Sequence, residues 1–408
     1  MPSPNTFDVA IAGAGPAGTS AAIQLAMNGS RVLLVEEKKF PRAKLCGEFI
    51  SPECAAHFKR LGVIDQMLAA GGTSLSQTVF YSRIGHNIAV PSEWFNSGTN
   101  ALGLSRSEMD HKLIERAKKS GVVVIEDCHA SGLIREHGIV SGILVKPAHA
   151  NGSAAGDSYR ALVTIDATGR TRSLARHLDH KNAGQKKREK PRLVAFKAHL
   201  ENARVAEGAC EIYFYKGGYG GLSGVEGGVS NLCFIVSAND VRFHGSDPEV
   251  VLREVVMKNV RACQTLASAR IRTPWLSVSL EGFGRRSLVP ADGLLTIGDS
   301  AAFIDPFTGS GMLMALESGE VAAETVARHL PMLRAGGLFN SLTRQYEAEY
   351  SARFNSRLQI SGLLRRAAFV PGLAEAVILL CGTSSRLRRR LARATRHSLR
   401  PKPGASTG

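Results

Sequence analysis

One segment constrains the fold more than any other: VAIAGAGPAG, with Gly13, Gly15 and Gly18 at G-x-G-x-x-G spacing. Glycine is common, so the spacing alone means little, and its surroundings decide. Phe7–Ala12 reads as a short buried strand. Pro16–Met27 reads as a small-residue helix ended by Gly29, and Arg31–Glu36 as a second buried strand. Strand, tight turn, helix and strand closing on an acid eighteen residues after Gly18 form the context of a dinucleotide-binding βαβ unit. In that unit Gly13 permits the turn, Gly15 lets backbone approach a pyrophosphate, and Gly18 allows close helix–strand packing. Pro16 and Ala17 begin the helix, whose free N–H groups attract phosphate, and Glu36 would accept hydrogen bonds from a ribose.

The rest of the chain supplies more of the same sheet and then a second one. Ser107–Ser120 reads as a helix followed by the strand Val122–Glu126. A hairpin is expected at Leu133–Arg135 and Val140–Val145, a loose loop at Ala148–Ser158, and a returning strand at Ala161–Ile165. From Lys190 to Val289 the pattern becomes alternating strands, Leu193–Leu200, Ala209–Tyr215 and Ser230–Ser237, with a glycine-rich link at Gly217–Gly228. One long helix is expected from Pro248 to about Ala269, with Asp247 as N-cap.

A second chemical signal lies almost 300 residues beyond the first, in LLTIGDSAAFIDPFTGSGM. A buried strand ends at Gly298-Asp299, and Gly309-Ser310-Gly311-Met312 opens a small-residue helix. A carboxylate at a strand end suits the hydroxyls of a polyol, and a glycine-rich helix start presents N–H groups to an electron-rich ring edge. Following the first fingerprint, the pair points to FAD rather than NAD. The expected fold is α/β: a Rossmann-like FAD-binding domain with an inserted, mostly antiparallel substrate domain and a helical C-terminus. The expected boundaries are 1–75, 101–185 and 291–350 for the FAD-binding domain, 76–100 and 186–290 for the substrate domain, and 351–408 for a basic tail.

The motifs together resemble the FAD-dependent superfamily that joins aromatic-ring hydroxylases to geranylgeranyl reductases, closest to its geranylgeranyl-reductase-like branch. The resemblance spans roughly residues 5 to 350. It is carried by the Gly13/Gly15/Gly18–Glu36 fingerprint, FPRAKLCGEFISP (Phe40–Pro52), LSRSEMD around Arg106, IDATGRTRS (Ile165–Ser173) and GDSAAFIDPFTGSGM (Gly298–Met312). It implies a glutathione-reductase-type FAD domain in which Arg106 contacts the cofactor, Cys46-Gly47 lies beside the flavin ring and substrate, and Ala130 joins the cofactor-binding set. Cys46 and Tyr219 are the candidate catalytic residues. Tyr219 lies with Tyr215 in the glycine-rich stretch, where backbone can approach a ligand closely or simply turn. The implied activity is hydride exchange between flavin N5 and a lipophilic small molecule. Alternatives are a hydroxylase in which reduced flavin captures oxygen, and a flavin-binding electron carrier without its own substrate.

Two departures narrow that implication. Thr168 stands where hydroxylases of the superfamily carry Asp, so NAD(P)H is a candidate reductant but hydroxylase-style NADPH use is not implied. The aromatic-rich substrate motif of archaeal geranylgeranyl reductases is replaced by YKGGYGGLSGVEGG (Tyr215–Gly228), and the WxWxIP signature of flavin halogenases is missing.

Composition adds bounds. No run approaches the ~18 apolar residues of a membrane-spanning helix, and no secretory leader is read at the start. Seven cysteines without CxxC spacing argue for a reduced, cytoplasmic protein, and no histidine spacing suggests a metal site. The net charge is +16, of which the residues from Ser351 onward hold +11: eleven Arg and Lys402 against Glu375 alone. Ser385–Arg400 places Leu387 and Leu391 among arginines, which reads either as a solvated basic helix or as peripheral contact with an anionic membrane. Nucleic acid is not an expected partner, because aromatic residues are not interleaved with the basic ones.

Overall fold

The computed structural model describes residues 5–96, 98–149, 156–179, 192–368 and 372–394. Strand β1 (Thr6–Ala12) runs into helix α1 (Pro16–Met27) and returns as β2 (Val32–Val35). The chain then crosses to a second sheet for the hairpin β3 (Gln77–Tyr81) and β4 (Asn87–Pro91). It comes back through α2 (Arg106–Lys119) to β5 (Val123–Ile125), β6 (Cys128–Glu136), β7 (Ile139–Pro147) and β8 (Asp157–Asp166). A second excursion builds β9 (Leu193–Glu201), β10 (Ala209–Tyr215), β11 (Gly218–Gly224), β12 (Ser230–Ser237) and β13 (Leu276–Leu280). Strand β14 (Leu294–Thr296) rejoins the first sheet. Four helices follow: α3 (Gly311–Arg334), α4 (Asn340–Ala368), α5 (Leu373–Thr383) and α6 (Ser385–Ala394).

The first sheet has the order β5-β2-β1-β8-β7-β6, with β14 also on β8. Strands β5, β2, β1, β8 and β14 pair in parallel, while β7 and β6 are antiparallel. The centre of this sheet is apolar because one face packs on helices α1, α2 and α3 and the other on strands β6 and β7; β2 is buried at all four positions. The second sheet runs β9-β12-β11-β10-β3-β4, with β13 also on β9, and is antiparallel except where β3 meets β10. The architecture is the expected one, a Rossmann-like domain carrying a mostly antiparallel second sheet and C-terminal helices.

Helices α1 and α3 touch through their small residues. A Cβ on Gly319 would stand 2.5 Å from the Ala17 carbonyl oxygen, and the Ser20 hydroxyl donates to the Leu316 carbonyl at 3.0 Å. The first and last parts of the Rossmann-like domain are therefore locked together beside the Gly13–Gly18 turn.

Local expectations fail in two places. The glycine-rich stretch Gly217–Gly228 is not simply a link, since Gly218–Gly224 forms β11 in the interior of the second sheet. Glycine is required there: a Cβ on Gly218 would lie 1.9 Å from the Ile235 carbonyl oxygen. The single helix expected over Pro248–Ala269 is broken into Pro248–Glu254, a 3-10 turn at Val256–Lys258 and Val260–Leu266. Asn259 causes the break. It caps the last piece, accepting from Ala262 N at 3.0 Å, while its amide donates to the Ser82 and Phe214 carbonyls, both at 2.9 Å. The loop expected at Ala148–Ser158 lies partly outside the described residues, and Asp157 and Ser158 already belong to β8.

Under α3 an ion network ties three helices. Glu320 accepts from Arg60 at 2.8 Å and lies 3.3 Å from His57, both on the helix Cys54–Leu61; Arg357 of α4 holds Glu317 at 2.6 Å. Burial alone would raise the Glu320 pKa, but the His57 hydrogen bond and the charges of His57, Arg60 and Arg353 outweigh it and hold the carboxyl at about 2. Its unfolded value is near 4.5. Glu320 ionisation therefore stabilises the fold fully above pH 4.5, and that contribution is lost as pH falls towards about 2. Glu320→Gln is expected to flatten the acid limb of stability against pH in that window, measured by urea denaturation; an unchanged slope would contradict the assignment.

Candidate cofactor and substrate site

One cavity of about 1040 Å³ runs from the Gly13–Pro16 turn, between the two sheets, to the C-terminal helices. At its first end the backbone does the positioning. Gly13 sits at φ +101°, and a Cβ there would lie 2.4 Å from the Ala167 carbonyl oxygen. Helix α1 starts at Pro16 with Gly15 as N-cap and no side-chain cap, so its leading N–H groups face the cavity without one. Glu36, at the end of β2, accepts from Ala14 N at 2.8 Å and pairs with Arg42 Nε at 3.2 Å. Cys128 to Ser131 of β6 border the same end.

The middle is charged. Arg106 grips Asp110 with two hydrogen bonds of 2.9 and 2.7 Å, and Arg42 reaches the same carboxylate at 3.2 Å. Burial would lower the Arg106 pKa, but Asp110 and the hydrogen-bonded Cys46 thiol hold it above the ordinary value. Lys44 is pushed below the usual lysine range by its protein surroundings and by Arg42, Arg106 and Arg170. Opposite them Asp299 follows Gly298 in the short turn Gly298–Ser300. No described residue donates a hydrogen bond to its carboxylate. Burial raises its pKa against the pull of Arg170, Arg106 and Lys44. Helix α3 opens beside it at Gly311, also without a side-chain cap.

Buried Asp166 holds these segments together. It accepts from Leu174 N and Ala175 N at 3.1 and 2.9 Å, from Thr168 Oγ1 at 2.6 Å, and from Ser300 Oγ at 3.1 Å. The turn that replaces the hydroxylases' Asp with Thr168 is thus braced by the preceding carboxylate.

The far end is aromatic. Phe307 meets Phe80, Phe214 and Tyr219 at centroid distances of 6.0, 5.6 and 5.4 Å. The Tyr219 hydroxyl donates to Asp305 Oδ1 at 2.5 Å, and burial with the neighbouring Asp305 pushes its pKa far above the usual phenol value. Its proton is already committed to Asp305.

Of the residues singled out from sequence, Gly13, Gly15, Pro16, Ala17, Glu36, Cys46, Gly47, Arg106, Ala130, Tyr219, Asp299, Gly309, Gly311 and Met312 border this one cavity. Gly18 and Ser310 do not. Gly18 packs against the Gly13 carbonyl, where a Cβ would overlap at 1.9 Å, and buried Ser310 bonds the Thr308 hydroxyl at 2.7 Å. Sequence reasoning missed the cluster around Glu48. This buried carboxylate adopts φ +53° and takes hydrogen bonds from Lys197, from His199 Nε2 at 2.6 Å and from Arg106 N at 2.8 Å. Asn231 donates to the Cys46 carbonyl at 3.1 Å. Together they pin the Cys46-Gly47 loop to β9 and β12. One signal was available: Lys197 interrupts the apolar strand LVAFKAHL at an inward position.

The arrangement fits a bound FAD. Two helix starts without side-chain caps flank a cleft long enough for a dinucleotide, and the half-buried Asp299 carboxylate between them can accept from a ribityl hydroxyl. Asp299→Ala is expected to weaken FAD binding by about tenfold to a hundredfold, the worth of a hydrogen bond to a charged group, read by fluorescence titration of apoprotein.

Fold and site define a dinucleotide-binding flavoprotein. The family model described as "FAD binding domain" matches residues 6–357. The chain belongs to that family; FAD is its cofactor, and it is an FAD-dependent oxidoreductase. It is 28% identical to a digeranylgeranylglycerophospholipid reductase of Methanosarcina mazei, over 78% of this chain and 74% of the relative. It is 26% identical to a menaquinone reductase of Mycolicibacterium smegmatis, over 78% and 75%. Among solved structures, the flavin-dependent brominase Bmp2 superposes with a TM-score of 0.78 at 20% identity, covering 96% of this chain and 93% of that one. A geranylgeranyl bacteriochlorophyll reductase-like protein of Thermoplasma acidophilum gives 0.73 at 21%, covering 97% and 93%. At these identities the structural likenesses show the fold alone.

Proposed function

We propose that this oxidoreductase is a reductase or dehydrogenase acting on a C–C bond of a lipophilic small molecule met at a membrane surface. The observation that carries the reading is the continuity of the cavity: the charged cofactor end opens directly into a wall of Phe80, Phe214, Phe303, Phe307 and Ile378. Such a wall binds an apolar substrate by excluding water and offers few polar groups to orient a hydrophilic one. Two relatives bear the names of reductases of a lipid and of a quinone, which agrees with that chemistry. Bound FAD supplies hydride chemistry at N5.

The protein's own residues orient and protect. Arg106 and Glu48 fix the Cys46-Gly47 loop between the charged and aromatic parts of the cavity, and Cys46 Sγ is the group we assign to face the reacting carbon as proton donor. Tyr219 Oη is a poor candidate for that role while Asp305 holds its proton. The apolar helix α5 and the basic helix α6 close the apolar end and bring it to the membrane.

The test is anaerobic. Holoprotein reduced with dithionite should be reoxidised by a polyprenyl or quinone acceptor in detergent, and Cys46→Ser should keep its flavin but lose most of that rate. Substrate-dependent oxygen uptake with a hydroxylated product would replace this reading by a monooxygenase.

A further inference from the structure

The last two helices are more than a tail. Ile378 and Cys381 of α5, and Leu391 and Ala392 of α6, line the cavity, and Ile378 joins the apolar cluster of Phe214, Tyr219 and Phe303. Other side chains of the same region point away from it. Leu379 and Leu380 are 53% and 60% exposed, and Leu363 near the end of α4 is 63% exposed. A water-facing helix rarely presents large aliphatic side chains side by side, and such a patch marks a contact surface.

Helix α6 adds charge: five arginines and no acid in ten residues. Three of them grip Trp94, in the 3-10 turn Ser92–Trp94 that follows β4. The Arg388 and Arg389 guanidinium groups stand 5.6 and 5.1 Å from the Trp94 ring centre, and Arg393 Nε donates to the Trp94 carbonyl at 3.1 Å. Arg386 and Arg390 are exposed. The occupant that matches adjacent leucines and a cluster of arginines is an anionic lipid bilayer, with acyl chains for the former and phosphates for the latter.

We propose that α5 and α6 form a lid over the apolar end of the cavity, shut by the Trp94–arginine clasp and opened when an anionic bilayer takes the arginines. A guanidinium over an indole is held by a ring quadrupole, whereas phosphate offers it full charge and paired hydrogen bonds. The bilayer therefore competes directly for the groups that keep the lid closed. Once it opens, a lipophilic substrate passes from membrane to cavity without crossing water. This rests on the lipophilic-substrate reading above and adds the route and its trigger.

The experiment uses Trp275→Phe holoprotein, in which Trp94 is the one remaining tryptophan. Vesicles of phosphatidylglycerol with phosphatidylcholine should pellet the protein and raise acrylamide quenching of Trp94 at least about twofold, while phosphatidylcholine alone does neither. Arg386→Glu with Arg390→Glu, and separately Leu379→Ser with Leu380→Ser, should weaken pelleting by about tenfold or more and keep FAD bound, because neither pair lines the cavity. Pelleting with unchanged Trp94 quenching overturns the lid, and failure to pellet with the anionic vesicles overturns the membrane seat as well. Reoxidation by the lipophilic acceptor in detergent is scored on the same preparation. If it succeeds while the vesicle arms fail, the lid and its membrane trigger are wrong and the lipophilic-substrate reading stands; if it fails, the reading beneath them falls.

Discussion

Gly13→Ala protein is expected to purify without flavin. The new Cβ would stand 2.4 Å from a backbone carbonyl oxygen, that of Ala167, and 3.0 Å from Thr168 N. Neither atom can swing aside as a side chain would. The residue must also keep φ +101°, a conformation that costs an L-residue about 1–2 kcal/mol. The Gly13–Pro16 turn and the Asp166–Thr168 turn must therefore separate, and both line the cavity. The expected loss is at least about a hundredfold in FAD affinity, roughly 2.7 kcal/mol, with a lower melting temperature. The visible flavin absorbance of the protein as isolated and FAD titration measure it. Wild-type flavin content would contradict the account of this turn. Gly15→Ala is the useful contrast, since a Cβ there meets only the Arg106 guanidinium, at 3.9 Å. Any loss in that variant reports on the approach of the ligand and not on collision within the protein.

Removing Glu48 should destabilise the fold more than removing it together with its partner. Glu48 and Lys197 are 1% and 3% exposed, and His199 is partly buried against them. Burial would raise the Glu48 pKa, but His199 and Lys197 more than compensate and hold it below the ordinary carboxylate value. Glu48 ionisation stabilises the fold fully above the ordinary carboxylate range, and the effect fades as pH falls through the lowered folded value. Glu48→Leu leaves the Lys197 ammonium buried without its counter-charge, at a cost of about 3–5 kcal/mol. Glu48→Leu with Lys197→Met replaces ions by apolar groups of similar size and should recover much of that loss. Chemical denaturation of the two single variants and the double variant measures the coupling. Additive losses would show that Glu48 and Lys197 do not act as a unit. A second readout is Cys46, whose alkylation rate at a fixed pH should rise once Glu48 is replaced, because its loop is tied to β9 through that carboxylate.

The parts legible in sequence were those governed by local rules. The turn at Gly13–Gly18, the buried strand before it and Glu36 after it lie within some thirty residues, and each glycine has a short-range steric reason to be there. Gly298-Asp299 and Gly309–Gly311 were readable for the same reason, and the structure gathers both groups around one cavity. Where a neighbour far along the chain decides, sequence reading failed. β11 looks like a flexible link by composition, yet it is a central strand because β10 and β12 satisfy its backbone on both sides. The helix predicted over Pro248–Ala269 breaks because Asn259 finds carbonyls on β3 and β10 that no local pattern announces. The arginine-rich end has the amphipathic form expected of it, but its apolar side covers the cavity, a role set by Trp94 almost 300 residues earlier.

By itself the sequence determined the cofactor class and the Rossmann-like core, since a phosphate-binding turn needs particular residues at particular short spacings. Only the tertiary structure decided that Glu48, Lys197 and His199 form one buried cluster, that the Tyr219 hydroxyl is hydrogen-bonded to Asp305, and that the last helices wall the aromatic end of the cavity. Those facts depend on contacts between distant segments, and an ion pair or an apolar wall imposes no spacing on the chain that makes it.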